Sequence, residues 1–322
     1  MSISSTLSLA EYQKHRNEKR KQAHFVIAQL SIGLQCEYVL CNRLNGTYPY
    51  FCNIDLQCLE SLKYGDRLFL NWENNSYFMA ILLELLERKK LRLYFFIMIE
   101  PRIHESDVAK LKPHAIKMFI QNNDHDDENI HNLPIGIRDG GELFIGHTGY
   151  SQHQLIEEGA QSRIKSILCL LCFTHSHGER GRCYEMLHNA PFVCNLNAYT
   201  GEENEGNGDR SHMLGSISVT LNYRKTHESI YVLSPRGVGE ATHRFFEAIY
   251  LDAIPIVKRT HTAFDRQYRV FPCLVVEDWN EVTEELLIQN QRRLQREMAR
   301  FKQAYPHCYT DFSQLYTLML QM

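Results

Sequence analysis

The segment Ser229–Lys258 constrains the fold of this chain more than any other stretch. It opens with a short apolar run, Ile230–Leu233, which is typical of a buried parallel strand, and Pro235 ends that strand because proline has no N–H to donate to a ladder. From Thr242 the apolar residues recur with helical spacing, and Ile254–Val257 is a second strand-like run. The predicted order of strand, turn, helix and strand is the unit from which α/β proteins build parallel sheets. The packed face of this helix is predicted to carry Phe245, Phe246, Ile249 and Tyr250.

The turn between the first strand and the helix combines groups that bind anions. Gly237 and Gly239 allow the backbone to approach a ligand closely. The helix that begins just after them presents unpaired N–H groups and the positive end of its dipole. Arg236 lies in the turn and Arg244 in the first helical turns, and the planar fork of arginine matches phosphate oxygens.

Two further polar residues on the same helix extend this pattern. His243 adds a hydrogen-bond donor, and Glu247, one turn beyond it, offers a carboxylate to the hydroxyls of a sugar. Together with the turn they predict a pocket for a diphosphate. The alternative is a plain βαβ unit whose arginines lie on a solvated face, and the residue chemistry alone leaves both interpretations open.

The same segment resembles the signature of the exostosin-like glycosyltransferases, whose usual form is F-V-L-x-P-R-G-x-G, then H-R, E-A and I-P-I-V. Here the residues read YVLSPRGVGEATHRFFEAIYLDAIPIVK. The resemblance continues through FPCLVVEDW at Phe271–Trp279 and EVTEEL at Glu281–Leu286. It implies a GT-B fold, an α/β architecture in which two Rossmann-like domains face a cleft and the C-terminal domain binds a nucleotide-activated sugar.

The resemblance also implies roles for individual residues. Arg236 and Arg244 would hold the diphosphate of the donor, and Glu247 would hold its ribose. The glycine turn and His243 would belong to the same donor site.

Two positions of the turn differ from the usual family pattern. Val238 stands where asparagine is frequent, and Ala241 where an acidic residue is frequent, with Glu240 one residue earlier. These differences keep open an alternative function, a catalytically inactive exostosin-like fold that acts as a binding or assembly protein.

Three further segments resemble the family. Met118–Asn122 and Leu133–Ile137 read MFIQN and LPIGI, and they are similar to a paired element of bacterial members. Ile164–Phe173 is predicted to be the first strand of the second domain, and the segment that follows it ends in Arg180. Because loops at the carboxyl ends of parallel strands bind ligands, Arg180 is a candidate phosphate contact, with an exposed arginine at a helix start as the alternative.

The length of 322 residues predicts two domains of about 150 residues each. We expect a polar tail over 1–24, an N-terminal, acceptor-side Rossmann-like domain over 25–150, and a nucleotide-sugar-binding domain over 151–322. The linker is predicted at Arg138–Gln161, which is rich in glycine. A long helix ending near Ala304 would return toward the first domain.

The elements predicted in the first domain are a strand at Asp66–Asn71, a helix at Tyr77–Lys89, a strand at Leu91–Ile99, a helix at Ser106–Leu111 and a strand at Ile116–Gln121.

Metal sites and disulfides are not predicted. Cys169 and Cys172 have a metal-like spacing but lie in an apolar strand, so we interpret them, like most of the ten cysteines, as buried free thiols. The acidic run Asp124–Glu128, with His131 nearby, is interpreted as a solvated loop. GT-B enzymes generally need no metal, and no cofactor is expected beyond the donor substrate.

Charge and hydropathy narrow the expected partners and location. A formal charge of −3 gives no reason to expect nucleic acid as a partner. The longest apolar runs fall far short of the ~20 residues that span a bilayer, so no transmembrane segment is predicted. The N-terminal segment lacks the apolar region of a signal peptide, so a cytoplasmic protein is expected.

The predicted reaction follows from the resemblance. A hydroxyl of a glycan or another acceptor attacks the anomeric carbon of a nucleotide-diphosphate sugar, with inversion, and arginines and helix N–H groups stabilise the leaving diphosphate. The enzyme would be a hexosyl- or pentosyltransferase whose general base the sequence does not identify. A phosphoryl transferase is disfavoured because the chain has no G-x-x-x-x-G-K-[ST] motif.

Overall fold

The computed structural model describes most of the chain from residue 56 onward. The described residues are 14, 32–33, 35–41, 56–71, 76–98, 103–137, 152–174, 177–198, 213–214, 217–237, 239–240, 242–260, 262–309 and 311–322. Apart from Lys14, the predicted polar tail over 1–24 lies outside them. Val238 and Ala241, the two departures from the family pattern, lie outside them as well.

The chain forms two compact units. The first consists of Met1–Ile135 together with Cys308–Met322, and the second of Gly136–His307. The sequence predicted a boundary at residue 150 and placed the whole of 151–322 in one domain. In the structure the last fifteen residues therefore belong with the N-terminal part of the chain.

The first unit is built on a five-stranded parallel sheet in the order β1-β2-β3-β4-β5. Every strand and helix predicted from the sequence in this unit is present, with ends shifted by at most two residues. The strands are β1 Tyr38–Cys41, β2 Arg67–Asn71, β3 Leu93–Ile97, β4 Ala115–Ile120 and β5 Ile130–Asn132, and the helices are α1 Ser76–Lys89 and α2 Glu105–Leu111, with short 3₁₀ turns at Leu56–Ser61 and Lys112–His114.

Aromatic packing brings the C-terminal segment onto this sheet through a last helix, α9, at Phe312–Met319. The Phe312 ring lies 5.9 Å from that of Phe96. The Tyr316 ring lies 5.4 Å from that of Phe119 and 6.3 Å from that of Tyr94. Because each such pair adds about 0.5–1.5 kcal/mol beyond the burial of its area, these contacts hold α9 on the first unit. The sequence did not predict α9 or its place in the first unit.

The second unit contains a five-stranded parallel sheet in the order β12-β11-β10-β6-β7. The prediction of an α/β class with parallel sheets is thus confirmed. The strands are β6 Ile167–Leu171, β7 Val193–Asn195, the antiparallel pair β8 Met213–Leu214 and β9 Ile217–Ser218, then β10 Ser229–Leu233, β11 Ile254–Lys258 and β12 Leu274–Val276. The helices are α3 Gln152–Gly159, α4 Gly178–Leu187, α5 Val219–His227, α6 His243–Tyr250, α7 Thr262–Val270 and α8 Glu284–Ala304, with 3₁₀ turns at Leu196–Ala198 and Trp279–Glu281.

The strand order of this second sheet reverses at one point. The chain passes from β6 outward to β7, and then resumes with β10 on the other side of β6 before continuing to β11 and β12. The connections that leave β6 and β10 therefore run in opposite directions. In open α/β sheets such a reversal opens a crevice outside the carboxyl ends of the two strands, and that crevice is where ligands bind.

The helix predicted after the glycine turn is confirmed as α6, and its apolar face is buried. Phe245, Phe246 and Ile249 are at most 2% exposed. The Phe246 ring meets that of Phe271 at 5.5 Å, and Phe271 meets Phe301 of α8 at 5.3 Å. Burying each such side chain stabilises the fold by about 1.5–3 kcal/mol, so these rings fix α6 against the rest of the unit.

The long helix α8 also has the predicted faces. Its apolar stripe is buried, and its arginines are exposed, as expected of a solvated face. The buried residues are Leu287, Leu294, Met298 and Phe301, and the exposed arginines are Arg292, Arg293, Arg296 and Arg300.

The predicted linker Arg138–Gln161 is wrong over its second half, because α3 is a packed helix of the second unit; residues 138–151 lie outside the described part of the chain. Leu155 is 1% exposed. A Cβ on Gly159 would lie 2.8 Å from Cε1 of Tyr250, so this glycine makes room for a ring. The glycines that predicted the linker, Gly140, Gly141, Gly146 and Gly149, lie outside the described residues.

A buried ionic contact joins α3 to α5. The carboxylate of Glu158 accepts hydrogen bonds from Arg163 at 2.8 Å and from Nδ1 of His227 at 3.1 Å. Burial by itself would raise the pKa of Glu158, but these hydrogen bonds outweigh it and hold the pKa below its ordinary value. The charged carboxylate is therefore the stable form at neutral pH.

Cys169 and Cys172 are free thiols with no exposed surface, which confirms their interpretation as core residues. Burial raises the pKa of the Cys169 thiol.

Within the described ranges, no helix is both long enough and apolar enough to cross a membrane.

Lys165 joins the ends of two helices of the second unit. Its ammonium donates to the carbonyl oxygens of His227 at 2.7 Å and Leu251 at 3.1 Å, which end α5 and α6. Carbonyls at helix ends have no partner within the helix, so these bonds satisfy groups that burial would otherwise leave unpaired. Burial lowers the pKa of Lys165 to about 8.

The effect of Lys165 on stability should depend on pH. Above pH 8 the folded protein loses this proton, whereas the unfolded chain keeps it up to its ordinary pKa of 10.5. The unfolded state then binds more protons, so the stability of the wild type relative to Lys165→Met should rise by about 2 kcal/mol between pH 7 and pH 10. Denaturant unfolding of both proteins at the two pH values measures this difference. A difference that does not change with pH would contradict the assignment.

Candidate functional site

The carboxyl edge of the second sheet, at the reversal between β6 and β10, gathers the residues that the sequence singled out. The segment Ser234–Gly237 leaves β10 there, and Cys172–Thr174 leaves β6 beside it, because these two strands are paired in parallel. Helices α4 and α6 begin at the same edge, each following its strand. The parallel pairing thus joins two sequence motifs that lie about sixty residues apart.

Arg180 of α4 lies directly against the glycine turn. A Cβ added to Gly237 would be 2.8 Å from Nη2 of Arg180 and 3.4 Å from its Cζ. The guanidinium also donates through Nη1 to the hydroxyl of Thr174 at 3.3 Å. The N–H of Gly237 donates to the carbonyl of Gly239 at 3.1 Å, which closes the turn. Arg180 and Gly237, which belong to two different sequence motifs, therefore lie in contact in the structure.

Arg236 points to a neighbouring carboxylate. Its Nη1 lies 2.7 Å from Oε1 of Glu240 in an ion pair four residues apart. The second oxygen of Glu240 is buried and has no hydrogen-bond partner within the described part of the chain. A buried carboxylate oxygen without a donor is costly, so this turn holds an unsatisfied acceptor beside a guanidinium.

His243 connects the start of α6 to the start of the second unit. Its Nδ1 lies 2.9 Å from the carbonyl oxygen of Gly136, and since a carbonyl can only accept, Nδ1 carries the proton. Gly136 itself adopts a left-handed conformation with φ of 69°. The His-Arg motif and the LPIGI motif therefore meet through this bond.

Arg244 and Glu247 of α6 lie against residues of α5. Nη1 of Arg244 lies 3.4 Å from Oδ1 of Asn222, and the hydroxyl of Tyr223 lies 3.5 Å from the carboxylate of Glu247. Glu247 is only 5% exposed. Burial raises the pKa of the adjacent Cys172 thiol, and Arg244 opposes that rise. These contacts place both residues below the glycine turn, between α6 and α5.

The predicted site residues thus fall into three groups. Arg180, Arg236 and the two glycines share the edge of the sheet, and His243 turns toward Gly136. Arg244 and Glu247 lie one helical turn deeper. Their assignment to a donor site stays a prediction.

A charged network next to Arg180 was not assigned a role from the sequence. Oε1 of Glu179 accepts from Nε1 of Trp279 at 2.8 Å and from Nζ of Lys258 at 3.0 Å. Asp278 lies 3.7 Å from the same Lys258 ammonium and 2.6 Å from Nη2 of Arg182. Glu179 and Asp278 were visible in family-like motifs, but nothing in the sequence showed that two motifs a hundred residues apart share hydrogen bonds.

The charge state of this network follows from its contacts. Burial would raise the pKa of Glu179, but the hydrogen bonds from Lys258 and Trp279 lower it below the ordinary value. The carboxylate is therefore charged at neutral pH and neutralises Lys258. Trp279 has no exposed surface, so its indole N–H depends on this acceptor.

Metal-ligand groups are not found within the described residues, where no three His, Cys, Asp or Glu side chains are arranged to hold a metal ion. In the acidic loop after β4, Asp127 forms an ion pair with Lys112 at 2.6 Å. This hydrogen bond lowers the pKa of Asp127. At least this carboxylate of the loop is thus engaged by a basic side chain.

Comparison of the chain with protein-family models gives no match, and comparison with curated proteins gives none either. The resemblance to the exostosin-like glycosyltransferases therefore stays a resemblance of motifs. The function is argued below from those motifs together with the geometry.

Removing the Glu179 carboxylate should destabilise the second unit. Glu179→Ala leaves the buried N–H of Trp279 without its acceptor and removes a charge partner of Lys258, which should cost about 2–4 kcal/mol. Glu185→Ala is the matched control, since Glu185 is an exposed glutamate on the same helix and should cost less than about 0.5 kcal/mol. Urea unfolding of the three proteins measures both values, and equal costs would show that the network adds nothing to stability.

Proposed function

We propose that this protein is a glycosyltransferase of the GT-B type, which transfers a sugar from a nucleotide-diphosphate sugar to a hydroxyl acceptor with inversion and without a bound metal. The observation that carries the proposal is the position of Arg180 against Gly237 at the strand-order reversal. This is where doubly wound sheets bind nucleotides, and the motif that resembles exostosin-like enzymes lies at this point.

The groups at this edge suit a leaving diphosphate. Arg180 and Arg236 supply guanidinium forks, which bind phosphate oxygens in two-pronged fashion. Thr242 is the N-cap residue of α6, and its side chain makes no capping hydrogen bond. The positive end of the helix dipole would add to the attraction for a phosphate. Negative charge that grows on the leaving phosphate would meet donors already in place, which lowers the barrier to transfer.

Deeper residues would hold the remainder of the donor. In this proposal His243, held by its hydrogen bond to the carbonyl of Gly136 at the start of α6, belongs to the same donor site. Arg244 and Glu247 lie with Asn222 and Tyr223. A carboxylate and an amide are groups that bind ribose hydroxyls, so in this proposal Glu247 accepts from the ribose, which must reach into the space between α5 and α6.

A second candidate function is a binding protein that keeps the fold without turnover. The observation that favours it is the ion pair of Arg236 with Glu240, because a guanidinium already engaged by a carboxylate is less available to a diphosphate. The two candidates differ in turnover, and donor hydrolysis or transfer would exclude the second.

Donor binding is tested with nucleoside diphosphates and their sugars. At 100 times its dissociation constant a ligand should stabilise the wild type by about 2.7 kcal/mol, which thermal unfolding detects. Arg180→Ala should weaken the binding of that ligand at least about tenfold, because it removes a charge-assisted contact. Arg300→Ala is the control, since this arginine is exposed on α8. Equal affinity in all three proteins would remove Arg180 from the site.

Turnover is tested with the nucleotide-sugar that binds. Release of the nucleoside diphosphate in the presence of hydroxyl acceptors, lost in Arg180→Ala, is the result expected of a transferase. Binding without release over many hours would instead select the binding protein.

Neutralising Glu240 should strengthen the binding of the diphosphate. Glu240→Gln frees Arg236 from its ion pair and removes a negative charge beside the turn, so the affinity for a nucleoside diphosphate should rise about three- to tenfold. Glu285→Gln makes the same charge change at an exposed position on α8 and serves as the control for net charge. Isothermal titration of the three proteins gives the affinities. Weaker binding of the nucleoside diphosphate by Glu240→Gln would mean that Glu240 holds Arg236 in its binding orientation.

A further inference from the structure

We propose that Glu179 positions Arg180 on the glycine turn, by tying the first turn of α4 to the residues that end β11 and follow β12. This inference deepens the proposed function and rests on it, because the ligand concerned is the diphosphate of the donor. It assigns a role to a carboxylate that no sequence motif singled out.

The hydrogen bonds of Glu179 cross the end of β10. Helix α4 follows β6, whereas Lys258 ends β11 and Trp279 follows β12, and β10 lies between these strands and β6. The contacts from Oε1 to Nζ of Lys258 at 3.0 Å and to Nε1 of Trp279 at 2.8 Å therefore span the place where the glycine turn emerges. A single carboxylate thus joins the two flanks of the site.

The two donors hold this carboxylate firmly. Trp279 has no exposed surface, so its N–H would be orphaned without Glu179. The Lys258 ammonium is confined between Glu179 and Asp278, the latter at 3.7 Å. The local cap of α4 is weaker, because Nδ1 of His177 accepts from the N–H of Glu179 at 3.4 Å. The first turn of α4 is accordingly fixed by the side chain of Glu179 together with the ion pair of Arg182 with Asp278 at 2.6 Å.

Arg180 is the residue that this anchoring affects most directly. Neighbouring residues on a helix point about 100° apart, so Glu179 can reach the far strands while Arg180 lies over Gly237. The guanidinium packs so closely on the glycine that even a Cβ would lie 2.8 Å from Nη2. Binding groups work when they are held in place beforehand by a supporting shell, and a shift of this turn would displace the guanidinium from the phosphate.

A positioning role of Glu179 and the simple electrostatic effect of its charge predict opposite changes in the affinity for an anionic ligand when the charge is removed. A negative charge close to the site repels an anionic ligand, so its removal alone should strengthen binding. If Glu179 positions Arg180, removal of the charge should weaken binding, and only when Arg180 is present. A double-mutant cycle between the two residues separates these effects.

The test uses inorganic pyrophosphate as the probe, measured by isothermal titration on the full chain. The four proteins are the wild type, Glu179→Gln, Arg180→Ala and the double variant. Glu179→Gln should weaken pyrophosphate binding roughly fivefold in the wild-type background. In the Arg180→Ala background it should leave the binding unchanged or slightly strengthen it, because only the loss of a negative charge acts there. Glu185→Gln, the same charge change at an exposed position of α4, should not weaken it.

A second variant guards against a folding defect. Trp279→Phe keeps a ring in the core and the charge of Glu179 but removes one of its two donors, and it should show the same dependence on Arg180. Thermal unfolding of each variant confirms that it is folded at the temperature of the titration.

The outcomes distinguish failure of the proposed function from failure of the positioning role alone. If the wild type binds neither pyrophosphate nor any nucleoside diphosphate, the proposed function fails, and this inference fails with it. If the wild type binds pyrophosphate and Glu179→Gln leaves the affinity unchanged or raises it, the positioning role alone is overturned. Equal weakening with and without the Arg180 side chain also overturns it, because Glu179 would then act independently of Arg180.

Discussion

The parallel pairing of β6 with β10 is the constraint on which the candidate site depends. It brings the ends of two strands that are far apart in sequence to one edge of a sheet, where the strand order reverses. The packing of Arg180 on Gly237, and the bonds of Glu179 across the end of β10, exist only because of this pairing. A different strand order would leave each motif chemically intact but apart.

Aromatic packing and ion pairs hold different parts of this edge of the sheet in place. Below it, the rings of Phe246, Phe271 and Phe301 hold α6 against the second unit without directional bonds. At the edge itself, basic side chains such as Arg236 and Lys258 lie against carboxylates. Ion pairs of this kind keep cations in place at little net gain in stability.

Local sequence patterns predicted part of the fold. The elements from β2 to β4 of the first unit, and the unit from β10 to β11, follow from apolar spacing and from the positions of proline and glycine, which are signals that act within a few residues. The same kind of reasoning placed a linker where α3 forms. It did not predict α9, because the rings that hold this helix lie more than 190 residues away in the chain.

The sequence by itself determined the βαβ unit, the glycine turn and the presence of arginines that can bind a phosphate. Only the tertiary structure decided which groups from distant parts of the chain meet: Arg180 with Gly237, and Glu179 with Trp279. The physical reason is the distance along the chain over which each kind of interaction acts. Propensity and periodicity are properties of neighbouring residues, whereas a hydrogen bond between side chains a hundred residues apart depends on the order in which strands pair, and that order is set by the packing of the whole unit.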